Sequence, residues 1–253
     1  MDDIEFGDGA GQRDIQAAQA RALVGLGRDD LRRFEDHDSV ELQTLGDRGR
    51  DDVDLVIDIA VIDAQIAQKV DGIIVSANDA DALVPVGKKA AERGIKVMSF
   101  DSAIAPAGRI VHLSASSTPL IGAKQVQMIA KTLGNKGEVA ILSAASTMTN
   151  QNSWIEAMKE EWKKPEYKDM PLVATVYGDD QDDKSYREMQ GLVKAYPNLK
   201  GVISPTTIGI RSGAKAIVDG DLVGKIFITG LGLPSEMKDY VLKGACDSFA
   251  MWN

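Results

Sequence analysis

Residues 71–101, DGIIVSANDADALVPVGKKAAERGIKVMSFD, constrain the fold more than any other stretch, because they read as strand, loop, helix and strand in succession. Ile73, Ile74 and Val75 form an apolar run without alternation, the pattern of a parallel strand buried on both faces. Asn78 to Asp81 are turn formers able to cap a following helix. Pro85 is tolerated only in a first helical turn, so that helix is predicted to begin near Ala82. Gly94 supplies a residue free to take positive φ at its end. Val97, Met98 and Phe100 make the next strand, which puts Asp101 at a strand's carboxyl end. That edge is where ligands bind in open α/β sheets.

The pattern continues to the end of the chain. Val61 to Val70 reads as a helix, Ile110 to Leu113 as a strand, and Ser114 to Thr118 as a polar crossing. Thr118 and Pro119 are placed as N-cap and first helical residue, and Gly134 as the stop of that helix. Strands are expected at Val139–Leu142, Leu172–Tyr177, Val202–Ser204, Ile226–Thr229 and Phe249–Trp252, with apolar residues at helical spacing between them. Strands alternating with helices specify an α/β fold with parallel sheets and right-handed crossovers.

Composition excludes several classes. An apolar content of 44% is enough for a sizeable core, and a net charge of −9 argues against nucleic acid and against an anionic membrane surface. Cys246 is alone, so no internal disulfide can form. No apolar run approaches membrane-span length, so direct membrane insertion is not expected.

Residues 1–55 carry a different pattern. Ile4 to Phe6, then GDGAG, then Ile15, Ala18, Ala22, Leu23 and Leu26 could be strand, turn and helix. A dinucleotide site would need G-x-G-x-x-G after a longer strand; a flexible loop is the alternative. Arg28 to Asp54 are rich in both charge signs, which suits a solvated or poorly ordered stretch. Every basic residue up to Gln68 is an arginine, whereas lysine predominates from Lys69 on, a break expected at a boundary of origin. Met1-Asp2-Asp3 lacks the basic and apolar regions of a secretory signal, as in a mature form, a fragment or a mis-started frame.

Candidate site residues sit at strand ends. The Asp101 carboxylate suits vicinal hydroxyls, against the alternative of a solvated turn aspartate. Asn150 and Gln151 follow the loop SAASTMT, and amides both donate and accept; Asn150 could instead simply cap the helix. Pro205, Thr206 and Thr207 could hold polar ligand atoms through hydroxyls and freed backbone groups, or merely start a helix. Gly232 and Leu233 occupy the corresponding loop after Thr229, where glycine permits close backbone approach. The run GDDQDD (178–183) hints at calcium but lacks the D-x-[DN]-x-[DN]-G loop and distal glutamate, so a solvated helix-capping loop is preferred. Neither His37 nor His112 has a spacing partner for zinc, and no G-x-S-x-G or P-loop occurs. No metal or cofactor is expected.

SANDADALVPVGKKAAERGIKVMSFDS, NQNSW (150–154), SPTT (204–207), TGLGLPSEM (229–237) and the terminal FAMWN together resemble the periplasmic sugar-binding proteins of ABC transporters. The resemblance runs from about Ile62 to Asn253, is strongest to the rhamnose-binding branch, and has the autoinducer-2-binding branch as its neighbour. It implies a type I fold of two doubly wound parallel-sheet lobes that close by hinge bending on a small sugar. By it, Asp101, Asn150, Gln151, Pro205, Thr206, Thr207, Gly232, Leu233, Trp252 and Asn253 match ligand positions. Trp252 would cover a sugar's apolar face, unless it is a core residue of a terminal strand. At position 150 the autoinducer-2 branch is expected to carry an acidic residue. The resemblance further implies a non-enzymatic, periplasmic, monomeric protein whose partners are a sugar and a membrane permease. The domains expected are an atypical segment at 1–55, of non-native or disordered character, a partial first lobe at 56–115 and a second lobe at 116–253, with the family pattern missing at both ends. Two further readings are an autoinducer-2-binding protein and the effector domain of a sugar-responsive transcription regulator. The latter would carry a basic recognition helix that residues 1–55 do not show. An enzyme is disfavoured, because no nucleophile–base pair can be assembled from the sequence.

Overall fold

Ile73 and Val75 of β1 (Gly72–Val75) are 2% and 0% exposed, whereas Ile74 between them is 47% exposed. Among the described residues, the strand expected to be buried on both faces is covered on one. The reason is where its helices pack. Ile62 and Ile66 of α1 (Arg50–Gln68) and Val86 and Ala90 of α2 (Val84–Glu92) join one core cluster with Ile73, Val75 and Val97. In this computed structural model residues 50–251 are described, with side chains from residue 58 onward. The strand, turn and helix expected within residues 4–26, and most of the charged stretch after it, lie outside those residues.

The chain divides into two compact units between Leu113 and Ser114. In the first, β1, β2 (Lys96–Phe100) and β3 (Val111–Leu113) form a parallel sheet in the order β1-β2-β3. Helix α2 begins two residues later than expected, because Asp79 closes a turn ahead of it. Its Oδ1 accepts the N–H groups of Asp81 and Ala82, both at 2.9 Å, and Leu83 becomes an N-cap without a side-chain bond. Gly94, at φ +82°, ends the helix where the sequence placed its stop.

The second unit is built from α3 (Thr118–Leu133), β4 (Glu138–Ser143), α4 (Thr149–Trp162), β5 (Leu172–Tyr177), α5 (Asp182–Ala195), β6 (Leu199–Ser204), α6 (Thr207–Asp219), β7 (Phe227–Gly230) and α7 (Pro234–Leu242). Its four strands are parallel in the order β5-β4-β6-β7. Ala140, Leu142 and Val202 pack with Met189, Ile210, Ala214 and Met237 of α5–α7 on one face. Val139, Ile141 and Ile203 pack with Val126, Ile129, Ile155 and Met158 of α3 and α4 on the other. These central strands are apolar throughout because helices cover both faces. Gly122 lets α3 and α4 approach: a Cβ there would lie 2.5 Å from that of Ala157.

Two local expectations are corrected. Ser117, not Thr118, is the N-cap of α3, and it makes no side-chain capping bond, since Pro119 already fixes the first turn. Of the strand expected at 249–252, the described part forms a single parallel bridge, Leu231 with Ala250.

At the amino ends of α5, α6 and α7, Arg211 ties three helices together. Its Nη2 donates to both carboxylate oxygens of Asp182 at 2.8 and 2.9 Å, and Nη1 to Glu236 at 2.6 Å. Ser212 Oγ adds a bond to Asp182 at 2.7 Å. Among the described residues no helix is long and apolar enough to cross a membrane.

Candidate ligand-binding site

In the second unit the chain leaves β4 toward β5 on one side, while β6 lies on its other side. The strand order therefore reverses between β4 and β6. Such switch points, at the carboxyl ends of the strands, are where doubly wound sheets bind ligands. Ser143 and Ser204 end the two strands that flank this one. The loops that follow carry the residues singled out from the sequence.

Gln151 lies in the first turn of α4 and is 6% exposed. Its Oε1 accepts from Ser143 Oγ at 2.7 Å and from the Ala144 N–H at 2.9 Å. The oxygen is thus committed to the end of β4. With that oxygen occupied, what the side chain has left for any further partner is its NH2 donors. Asn150 is not the cap of α4, which is Met148; its Oδ1 accepts from the Gln151 N–H at 2.7 Å.

After β6, Pro205 is buried, Thr206 is the N-cap of α6 and Thr207 is its first residue. The Thr206 hydroxyl does not cap the helix. It donates to the carboxylate of Asp180, in the loop after β5. Burial pushes the Asp180 carboxyl above its usual range; the Thr206 bond pulls it down and the neighbouring Asp179 charge pushes it further up. Asp180 was hidden in the sequence within GDDQDD, whose acidity reads as solvent. Three carboxylates of that run go to separate partners: Asp179 to Lys184, Asp180 to Thr206 and Asp182 to Arg211. Among the described residues no three acidic, histidine or cysteine side chains gather as a metal site.

At the end of β7, Gly230 lets the strand approach β6 closely. Gly230 has φ +146°, and a Cβ on it would lie 1.8 Å from the Ser204 carbonyl oxygen. Gly232 instead makes room for Met237 and Phe249, and Leu233 is the N-cap of α7. Trp252 and Asn253 lie outside the described residues.

In the first unit, Asp101 follows β2 with φ +53°, and its N–H donates to Leu113 O at 3.0 Å. Ser102 beside it is 2% exposed and its Oγ is buried without a hydrogen-bond partner. Sequence reasoning passed over Ser102, which no local pattern distinguishes from a turn serine. Ser99 Oγ lies 3.0 Å from His112 Nδ1, a hydroxyl–imidazole pair the sequence did not disclose. Ser99 is 1% exposed, so its hydroxyl is shut off from any substrate and the pair links β2 to β3. Burial and the Arg109 charge hold the His112 imidazole below its usual range, against the opposing pull of Ser99 and Asp101.

In the second unit the strand ends thus carry an amide and a hydroxyl whose partners are set by the fold. The profile of the family described as "Periplasmic binding protein domain" matches residues 37–253. A solute-binding protein of an ABC transporter from Clostridium phytofermentas, solved with bound L-rhamnose, is 40% identical with a TM-score of 0.76; the match covers 79% of this chain and 63% of that one. A sugar ABC transporter protein from Actinomyces odontolyticus is 38% identical with a TM-score of 0.59, over 77% of this chain and 62% of that one. The D-ribose/D-allose-binding protein of Pseudomonas aeruginosa is 24% identical, over 79% of this chain and 65% of that protein. The chain thus spans less than two thirds of the length of these relatives. With a family profile matched over most of its length, and a doubly wound α/β fold to go with it, the chain belongs to the periplasmic binding proteins.

Proposed function

We propose that the protein is the sugar-binding component of an ABC transporter, taking rhamnose or a closely related small sugar in the periplasm and handing it, as a monomer, to a membrane permease. The observation that carries this reading is the Gln151 side chain. Its oxygen is bound to Ser143 and Ala144 at the switch point, so its NH2 is presented to a ligand hydroxyl. The likeness to a protein solved with L-rhamnose supports that sugar over others. Asp101 supplies a carboxylate that accepts from hydroxyls, and Asn150, Thr206 and the backbone around Pro205, Thr207, Gly232 and Leu233 supply further polar contacts. Trp252 and Asn253 complete the set, the indole covering the sugar's C–H face.

Intrinsic tryptophan fluorescence tests the reading. Trp154 stands on α4, one turn beyond Gln151, and is 5% exposed. Titration with L-rhamnose is expected to give a saturable change, stronger than with D-ribose, D-allose or autoinducer-2. A flat response to all four overturns the proposal. Saturation by another of them ahead of L-rhamnose overturns the choice of sugar.

A further inference from the structure

The loop after β5 is held over the end of β4. Gly178 N–H donates to Ser143 O at 2.9 Å and Asp179 N–H to Ala144 O at 3.0 Å. Asp179 and Asp180 follow in succession with φ of +51° and +47°. Two adjacent non-glycine residues in the left-handed region are uncommon, and they persist where the surroundings impose them. This turn brings the Asp180 carboxylate to the Thr206 hydroxyl.

Thr206 is constrained on its other side as well. A Cβ on Gly209 would lie 2.8 Å from the Thr206 methyl and 2.3 Å from Ser204 Oγ, so the methyl is packed where only glycine leaves room. The Thr206 carbonyl accepts the Ile210 N–H at 3.0 Å. When ionised, the Asp180 carboxylate can only accept, so the hydroxyl proton then points to Asp180. What Thr206 then offers outward is a pair of lone pairs.

We infer that Asp180 is a positioning residue of the sugar site, which fixes the Thr206 hydroxyl as an acceptor for a ligand hydroxyl. This rests on the sugar-binding reading above. Gln151 and Thr206 then flank the switch point with opposite polarity, a donor after β4 and an acceptor after β6, which suits neighbouring sugar hydroxyls that give and take in turn. A partly desolvated carboxylate is costly to keep charged, and such groups gather at functional sites. Asp180's acidic neighbours Asp179 and Asp182 are paired with Lys184 and Arg211.

Calorimetric titration with L-rhamnose across a pH series separates this role from a structural one. Asp180→Asn, which can donate to Thr206 as well as accept, is expected to weaken binding about three- to tenfold, the range of one modest hydrogen bond. Thr206→Val should lose a similar factor, and the double variant no more than Thr206→Val alone, because one residue acts through the other. Thr206→Ser should retain most of the affinity. In the unaltered protein affinity should fall as pH is lowered through the Asp180 titration, and that component should vanish in Asp180→Asn and Thr206→Val. Urea unfolding of each variant confirms a cooperative fold. Additive losses, or a pH profile unchanged by Asp180→Asn, overturn this inference while leaving the sugar-binding reading intact. Absence of binding by the unaltered protein overturns both.

Discussion

The side-chain oxygen of Gln151 accepts the hydroxyl of Ser143 at 2.7 Å, joining the first turn of α4 to the end of the central strand β4. The same oxygen takes the Ala144 N–H, so two buried donors depend on one residue. Gln151→Ala strands both. Each unsatisfied buried group costs about 1–3 kcal/mol, so the variant should be destabilised by about 2–6 kcal/mol in urea unfolding. Its sugar affinity should also fall. An unfolding midpoint unchanged by the substitution would show that these bonds contribute nothing.

Asp180 is expected to give a pH-dependent stability. Its carboxyl is raised in the folded protein, so between the ordinary carboxylate pKa and the raised one the native state binds more protons than the unfolded chain. Stability from this group therefore falls as pH rises through that window. Asp180→Asn removes the penalty. Thermal unfolding at neutral pH should show the variant at least as stable as the parent, and the advantage should disappear in acid. Combined with weaker sugar binding, this would mark a carboxylate kept for the site at the expense of the fold.

Gly230→Ala tests the approach of β7 to β6. The glycine holds φ +146°, and a methyl group would meet the Ser204 carbonyl oxygen at 1.8 Å. Relief requires β7 to shift against β6, beside the loop that carries Thr206. A loss of about 3 kcal/mol or more is expected from denaturant unfolding, well above that of an ordinary glycine-to-alanine change.

Asn150→Asp exchanges an amide that donates for a group that only accepts. If the resemblance to the autoinducer-2 branch holds at this position, the ratio of autoinducer-2 to L-rhamnose affinity should rise. Parallel titrations of the two ligands measure it, and an unmoved ratio would place ligand choice elsewhere.

Much of the architecture is legible in the sequence because it is written locally. β5 runs over the predicted Leu172–Tyr177, and Gly94 and Gly134 end their helices with positive φ. Whether a strand is covered on one face or two is not local. Ile74 looks like a core residue beside Ile73 and Val75, yet α1 and α2 load only the opposite face. The candidate site divides the same way. Strand-end positions such as Asp101 and Gln151 are marked by the alternation of strands and helices. The pairing of Asp180 with Thr206 joins residues 26 positions apart, and nothing in an acidic run announces which of its carboxylates turns inward. Nor does the sequence say that the Gln151 oxygen is spent on the fold, since that depends on where α4 meets β4.

Calorimetric titration of L-rhamnose into the unaltered protein and into Asp101→Ala tests the sugar-binding account most directly. The account predicts saturable binding to one site, with affinity lowered about tenfold to over a hundredfold in the variant, as expected for loss of a charge-assisted contact of about 1.5–3 kcal/mol. No saturable heat with the unaltered protein, or equal affinity in Asp101→Ala, would contradict it.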